Sequence, residues 1–157
     1  MPEYDGFTSF HKSGLSRLRD AMHLLDPPLI EMHEQGASTR HMRGAMYLSG
    51  YGVECQLKAY LIKQHPPLDR LSDVLAELRT KDPNIRDICG AAGHDLEYLL
   101  QLSELETSLG SQQKINWNIC KKWKSSWRYD PSSVDRRVAE EMVSAARSLV
   151  MWIRSQI

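Results

Sequence analysis

The chain has 157 residues, 41% of them apolar, which suits one domain with an ordinary core. Its twenty Lys and Arg balance twenty Asp and Glu, so no global basic field draws in nucleic acid, which counts against a bulk polyelectrolyte binder. The clean apolar runs reach only about five residues, as at 149–153, far short of a membrane span. Met1-Pro2-Glu3-Tyr4-Asp5-Gly6 has neither the basic start nor the apolar run of a signal peptide.

Prolines at 2, 27–28, 66–67, 83 and 131 divide the chain, and the segments between them carry helical periodicity rather than strand alternation. Leu15, Leu18, Met22 and Leu25 predict a first helix over 9–25, ended by Asp26-Pro27-Pro28. Residues 29–36 read as a turn or as one extra helical segment broken at Gly36. Ser38 or Thr39 is the expected cap of a central helix reaching about Gln64, roughly 40 Å long at 1.5 Å per residue.

That central stretch has no ordinary polar face. Met46, Gly50, Val53, Leu57 and Leu61 form one stripe, and Leu48, Gly52, Cys55, Ala59 and Ile62 a second. Tyr47, Tyr51, Glu54 and Lys58 occupy the third side. A helix apolar on most sides is buried among others. Gly50 and Gly52 each weaken a helix by roughly 1 kcal/mol relative to Ala, which predicts the close approach of a neighbouring backbone.

After Pro66-Pro67, Leu68, Leu71, Leu75 and Leu78 mark a shorter helix to about Thr80, and 81–93 is the least regular part. Asp95 is the expected cap of a helix whose leucines at 96, 99, 100, 102, 105 and 109 form a broad face. Gly110 suits a stop and Ser111 a new cap. Ile115, Ile119, Cys120, Trp123 and Trp127 predict a further helix closed by Asp130-Pro131. Ser132 or Ser133 then caps a last helix carried by Val134, Val138, Met142, Ala145, Leu149 and Trp152. The sum is an all-α protein: one domain over 1–157, an up-and-down bundle of five to six helices with short connections.

Glu54 and Lys58 can touch at i,i+4, the acid N-terminal in the favoured order. Two readings stand: a partly exposed ion pair worth little, or a polar spot walled by Tyr47 and Tyr51. Cys55, Cys89 and Cys120 are odd in number and far apart, which predicts reduced thiols in a cytoplasmic protein. Six histidines include no His-x-x-x-His and no Glu-x-x-His, so neither metal nor cofactor is expected. Residues 107–129 contain no acid but hold Lys114, Lys121, Lys122, Lys124 and Arg128, interleaved with Trp117, Trp123 and Trp127. Basic and aromatic residues together suit phosphate contact with base stacking, although a core stripe with a solvated lysine face explains the same pattern. Arg40, His41 and Arg43 could extend that patch. Arg128 suits bidentate pairing with phosphate or with Glu54.

Tyr-Leu-x-Gly-Tyr-x-Val-Glu-Cys-x-Leu-Lys-Ala, residues 47–59, resembles the signature helix of HEPN domains (higher eukaryote and prokaryote nucleotide-binding). Gly93-His94-Asp95-Leu96-x-x-Leu99 resembles the family's His-x-Leu-x-x-Leu segment, and Trp123 to Trp127-Arg128-Tyr129 its Trp…Arg-Tyr segment. The resemblance spans residues 15–153 and implies a helical bundle and a homodimer. It also implies a non-catalytic module that binds nucleotide, RNA or protein. Such modules are often partnered with a separate nucleotidyltransferase in prokaryotic toxin–antitoxin or stress systems. The expected site joins Tyr51, Glu54 and Lys58 with His94, Arg128 and Tyr129, although a histidine at 94, just before a helix, equally suits a structural role that bonds back to the bundle and fixes the loop.

An alternative is a metal-independent RNase toxin, because catalytic members carry Arg-x(4–6)-His. Arg17 and His23 match that spacing, but in the first helix rather than a later one, and no histidine follows His94. A third class is a structural adaptor bundle without a small ligand.

Overall fold

The computed structural model describes residues 5–25 and 37–157, with backbone alone at 37–40 and 91–92. Among the described residues six helices follow in order: α1 Phe7–Leu25, α2 Ala37–Lys63, α3 Leu71–Lys81, α4 Leu96–Leu102, α5 Ser111–Cys120 and α6 Arg136–Ser155. Short 3-10 segments lie at Ala91–His94, Leu105–Ser108 and Ser125–Tyr129. Among the described residues there is no strand, only an isolated antiparallel bridge between Gly6 and Arg70. The protein is an all-α bundle.

α2 is its axis. From residue 49 to residue 62 every side chain is buried except the half-buried Tyr51 and Tyr60. α1 runs antiparallel beside it: Gln56 Nε2 donates to the His11 carbonyl at 2.8 Å, and at the other end Leu24 reaches Gly44. Between these points the two backbones nearly touch. A Cβ on Gly52 would lie 3.1 Å from the Gly14 carbonyl oxygen, and one on Gly14 would lie 3.0 Å from that of Gly52. Gly52 therefore serves the backbone approach that its sequence predicts. Gly50 serves something else: the Trp123 indole occupies the place of its side chain, and Trp123 Nε1 donates to the Tyr47 carbonyl at 2.9 Å.

α6 closes the other side of α2 and also packs on α5. Its buried stripe of Ala139, Met142, Ala146, Leu149, Val150 and Ile153 follows the 3.6-residue period.

Several boundaries differ from the sequence expectation. α2 begins at Ala37, so Ser38 and Thr39 lie inside it, not before it. α3 begins at Leu71, leaving Leu68 outside, and Arg70 at its N-cap makes no side-chain cap bond. Asp5 caps it from a distance: its carbonyl accepts from Leu71 N–H at 2.8 Å and its Oδ2 from Ser72 N–H at 3.1 Å. The leucine face of 96–109 stays inward, but the helix breaks after Leu102. Ser103 Oγ turns back to the Leu100 carbonyl, Glu104 takes a left-handed φ of 58°, and Leu105 and Leu109 continue the core beyond a 3-10 turn.

α5 stops at Cys120 instead of running to Asp130, and the chain then turns to deliver Trp123 to Gly50. Ile115, expected inside, is 55% exposed, while Trp117 is buried. Asp135, not Ser132 or Ser133, caps α6, accepting from Arg137 N–H at 2.8 Å. Val138 faces outward. The expected proline stop at 26–28 and turn at 29–36 lie outside the described residues. No helix among the described residues is long and apolar enough to cross a membrane.

Candidate functional site

Glu54 sits on the third side of α2 and is only 1% exposed. An ionised carboxylate survives such burial only when both oxygens find partners. Lys58, one turn on, donates Nζ to Oε1 at 2.7 Å. His94 Nδ1 lies 2.9 Å from Oε2. Lys58 is itself buried, its ammonium 5.6 Å from the Phe10 ring centroid. Of the two readings of the pair, the partly exposed helix ion pair is therefore wrong: this is a buried charge cluster that ties α2 to the loop carrying His94.

That loop is held from several sides. Gly93 packs on the Ile88 carbonyl, where a Cβ would also come within 2.9 Å of Lys58 Nζ. Asp95 caps α4 as expected, its Oδ1 accepting from Tyr98 N–H at 3.1 Å, while Oδ2 accepts from Arg86 Nη1 at 2.9 Å. Arg86 in turn covers the Tyr98 ring at 4.6 Å. Burial works to raise the Asp95 carboxyl, but the Tyr98 N–H and the Arg86 guanidinium together hold it below its ordinary value.

Glu54, already paired with Lys58, can only accept, so the proton of the shared bond belongs to His94 Nδ1. In the neutral ring Nε2 is then the bare nitrogen. The His94 side chain is 40% exposed and borders two clefts. One, of about 370 Å³, is lined by Arg17, Tyr47, Leu48, Tyr51, His94 and Arg128. The other, of about 300 Å³, includes Glu97, Lys121, Trp123 and Lys124 beside His94. A third, also of about 300 Å³, continues past Tyr47 and Arg128 to Arg43 and Trp127.

The residues expected to share a site separate into three depths. Tyr51, His94 and Arg128 border the same cleft. Glu54 and Lys58 lie beneath it as support, not as lining. Tyr129 stands outside, 77% exposed, with the Arg128 guanidinium 4.9 Å from its ring centroid. The expected Arg128–Glu54 pairing is not formed, because Lys58 and His94 occupy both carboxylate oxygens. Burial pushes the Tyr51 phenol up to about 12, with Cys55 and Glu54 adding to it, so it stays neutral at physiological pH. Burial likewise pushes the Cys55 thiol up to about 12, which makes it a poor nucleophile.

Arg17 is the site residue that the sequence reading set aside. Its Arg-x(5)-His partner, His23, is exposed and lines none of these clefts. Six residues at about 100° each place the two roughly a third of a turn apart around α1. The fold instead puts Arg17 and the distant His94 on the lining of one cleft, with the Arg17 guanidinium 3.3 Å from Asp20 on its own helix.

Of the expected basic patch, Lys121 and Lys124 reach a cleft, while Trp117 and Trp123 are core. Arg43 is a clamp: its Nη2 donates to Ser132 Oγ at 2.7 Å and pairs with Asp130 at 3.2 Å, its guanidinium 5.1 Å from the Trp127 ring centroid. Among the described residues no group of three His, Cys, Asp or Glu side chains is placed to hold a metal ion.

Comparison with known proteins returns no matching family model, no matching curated protein and no matching solved structure.

Proposed function

We propose that the protein is a HEPN-type module that binds a phosphate-bearing ligand, a nucleotide or RNA, in the cleft bordered by Arg17, Tyr51, His94 and Arg128. One observation carries this reading: two guanidiniums and an imidazole converge on one cleft. Arg128 is without a carboxylate partner among the described residues. Guanidinium matches phosphate oxygens bidentately, and the neutral Tyr51 wall offers a planar surface beside them. In this reading the chain acts as a homodimer in the cytoplasm, alongside a separate nucleotidyltransferase of a toxin–antitoxin or stress system.

A ligand at a hundred times its Kd stabilises the folded state by about 2.7 kcal/mol, roughly 5–10 °C in a chain of this size. Thermal melting with millimolar nucleotide is expected to show such a rise in the parent and none in Arg128→Ala. A parent melting curve that ignores every nucleotide tried, and inorganic phosphate too, overturns the proposal.

The bond between Glu54 and His94 favours a second reading, metal-independent RNA cleavage. Glu54 is then a positioning residue that fixes the Nδ1–H tautomer, leaving Nε2 as base. His94 would take the 2′-hydroxyl proton, the 2′-oxygen would attack the adjacent phosphorus to form a 2′,3′-cyclic phosphate, and the 5′-oxygen would leave with a proton from water. Arg17 and Arg128 would offset the developing charge. RNA degradation in EDTA that disappears in His94→Ala supports it. Intact RNA with the folded parent protein removes it and leaves the binding reading.

A further inference from the structure

The three clefts are neighbours that share lining residues. The central one shares His94 with the Lys121–Lys124 cleft, and shares Tyr47, Leu48 and Arg128 with the Arg43–Trp127 cleft. The whole chain is formally neutral, yet this lining gathers Arg17, Arg43, Lys121, Lys124 and Arg128. Its three carboxylates are each held by a cation: Glu97 by Lys121 at 3.5 Å, Asp95 by Arg86 at 2.9 Å and Asp130 by Arg43 at 3.2 Å. Lys124 and Arg128 make no ion pair among the described residues. From Arg43 to Tyr51 the α2 backbone alone covers about 12 Å at 1.5 Å per residue, and the Lys121–Lys124 arm extends the lining further.

Next to Arg128, which borders two of the clefts, Tyr129 lines neither and leaves a large ring in water. The guanidinium lies within cation–π distance of it. An open aromatic next to a cationic track is what base stacking on a single strand uses.

We infer that the ligand of this face is a single strand of nucleic acid several nucleotides long. One phosphate sits in the central cleft, a neighbouring phosphate lies toward Lys124, and an unpaired base stacks on Tyr129. The inference rests on the phosphate-binding reading above and deepens it. A lone nucleotide engages the central cations and leaves Lys124 and Tyr129 unused. A duplex hides its base faces from Tyr129. An acidic peptide meets the cations but brings no planar partner for the ring.

The test is fluorescence anisotropy with the full chain, comparing thymidine monophosphate, labelled oligothymidylates of increasing length and the corresponding duplex. Deoxy probes lack the 2′-hydroxyl and so survive any cleavage activity. Affinity is expected to rise at least tenfold from the monophosphate to the longer strands and to be weaker for the duplex. Tyr129→Ala is expected to lower strand affinity about tenfold while Tyr129→Phe retains it. Lys124→Gln should flatten the salt dependence by about 0.7 in log–log slope. Both residues are exposed, so the variants keep the fold.

Equal affinity for monophosphate and long strands, equal affinity for duplex and single strand, or an unchanged Tyr129→Ala protein overturns the inference and leaves the central phosphate site standing. Failure of every nucleotide and every strand to bind removes both.

Discussion

Glu54 is a carboxylate almost without exposure, and its two oxygens meet two different nitrogens. Removing one partner of such a cluster leaves an uncompensated buried charge, which costs about 3–5 kcal/mol. Glu54→Gln should therefore lose at least about 3 kcal/mol, read as a lower urea midpoint at unchanged slope. Replacing both groups by apolar ones of similar volume, Glu54→Leu with Lys58→Met, should recover most of that loss. If the single losses simply add in the double variant, the two groups are not a coupled buried pair. His94 is part-exposed, so water can replace its bond to Glu54, and its loss should cost the fold less. The i,i+4 spacing made this pair visible in the sequence, and the resemblance pointed to His94 as its neighbour. Burial was not visible, because the same spacing serves an exposed pair equally well. It depends on α1 and the His94 loop, which cover that side of α2.

α2 shows how a helix boundary or a glycine takes its meaning from a neighbour. Its apolar sides announced burial, because periodicity is a property of the segment alone. The two glycines needed their partners: Gly14 of α1 for Gly52, and the Trp123 indole for Gly50. Gly50→Ala sets two effects against each other. Helix propensity gains about 1 kcal/mol, while a methyl group driven into the indole costs about 1–3 kcal/mol by overpacking. The collision should win, giving a lower melting temperature and a shifted tryptophan emission. A stabilised Gly50→Ala protein would show that Trp123 does not fill that space. The same dependence on distant residues explains two other boundaries. Asp5 caps α3 from the start of the described chain, and α5 ends where Trp123 must reach α2. Asp95, which bonds within its own helix start, was legible as a cap from sequence.

At the scale of the molecule, the buried titratable groups set a pH window. Burial pushes Cys55, Cys120 and Tyr51 up to about 12, from ordinary values of 9.0 for the thiols and 10.0 for the phenol. Above pH 9 the unfolded chain sheds these protons while the folded chain keeps them, so folding stability falls as pH rises toward 12. These groups contribute their full stabilisation below pH 9. The slope should approach about 1.4 kcal/mol per pH unit for each thiol. Urea unfolding across the alkaline range under reducing conditions checks this, and Cys55→Ala with Cys120→Ala should flatten the curve. A parent protein with constant stability through that range would show that these groups titrate freely in the fold.

The amino-acid order alone indicated that the chain is helical, that residues 47–61 lie innermost and that the leucines of 96–109 and the segment 134–152 each turn an apolar face inward, although the first breaks after Leu102 and Val138 of the second faces out. Those are short-range consequences of side-chain periodicity and capping chemistry. The placing of Arg17 and His94 on one cleft, the depth of Glu54 and the grouping of three neighbouring clefts required the packed molecule. They bring together residues that are far apart along the chain, and no local periodicity encodes such a meeting.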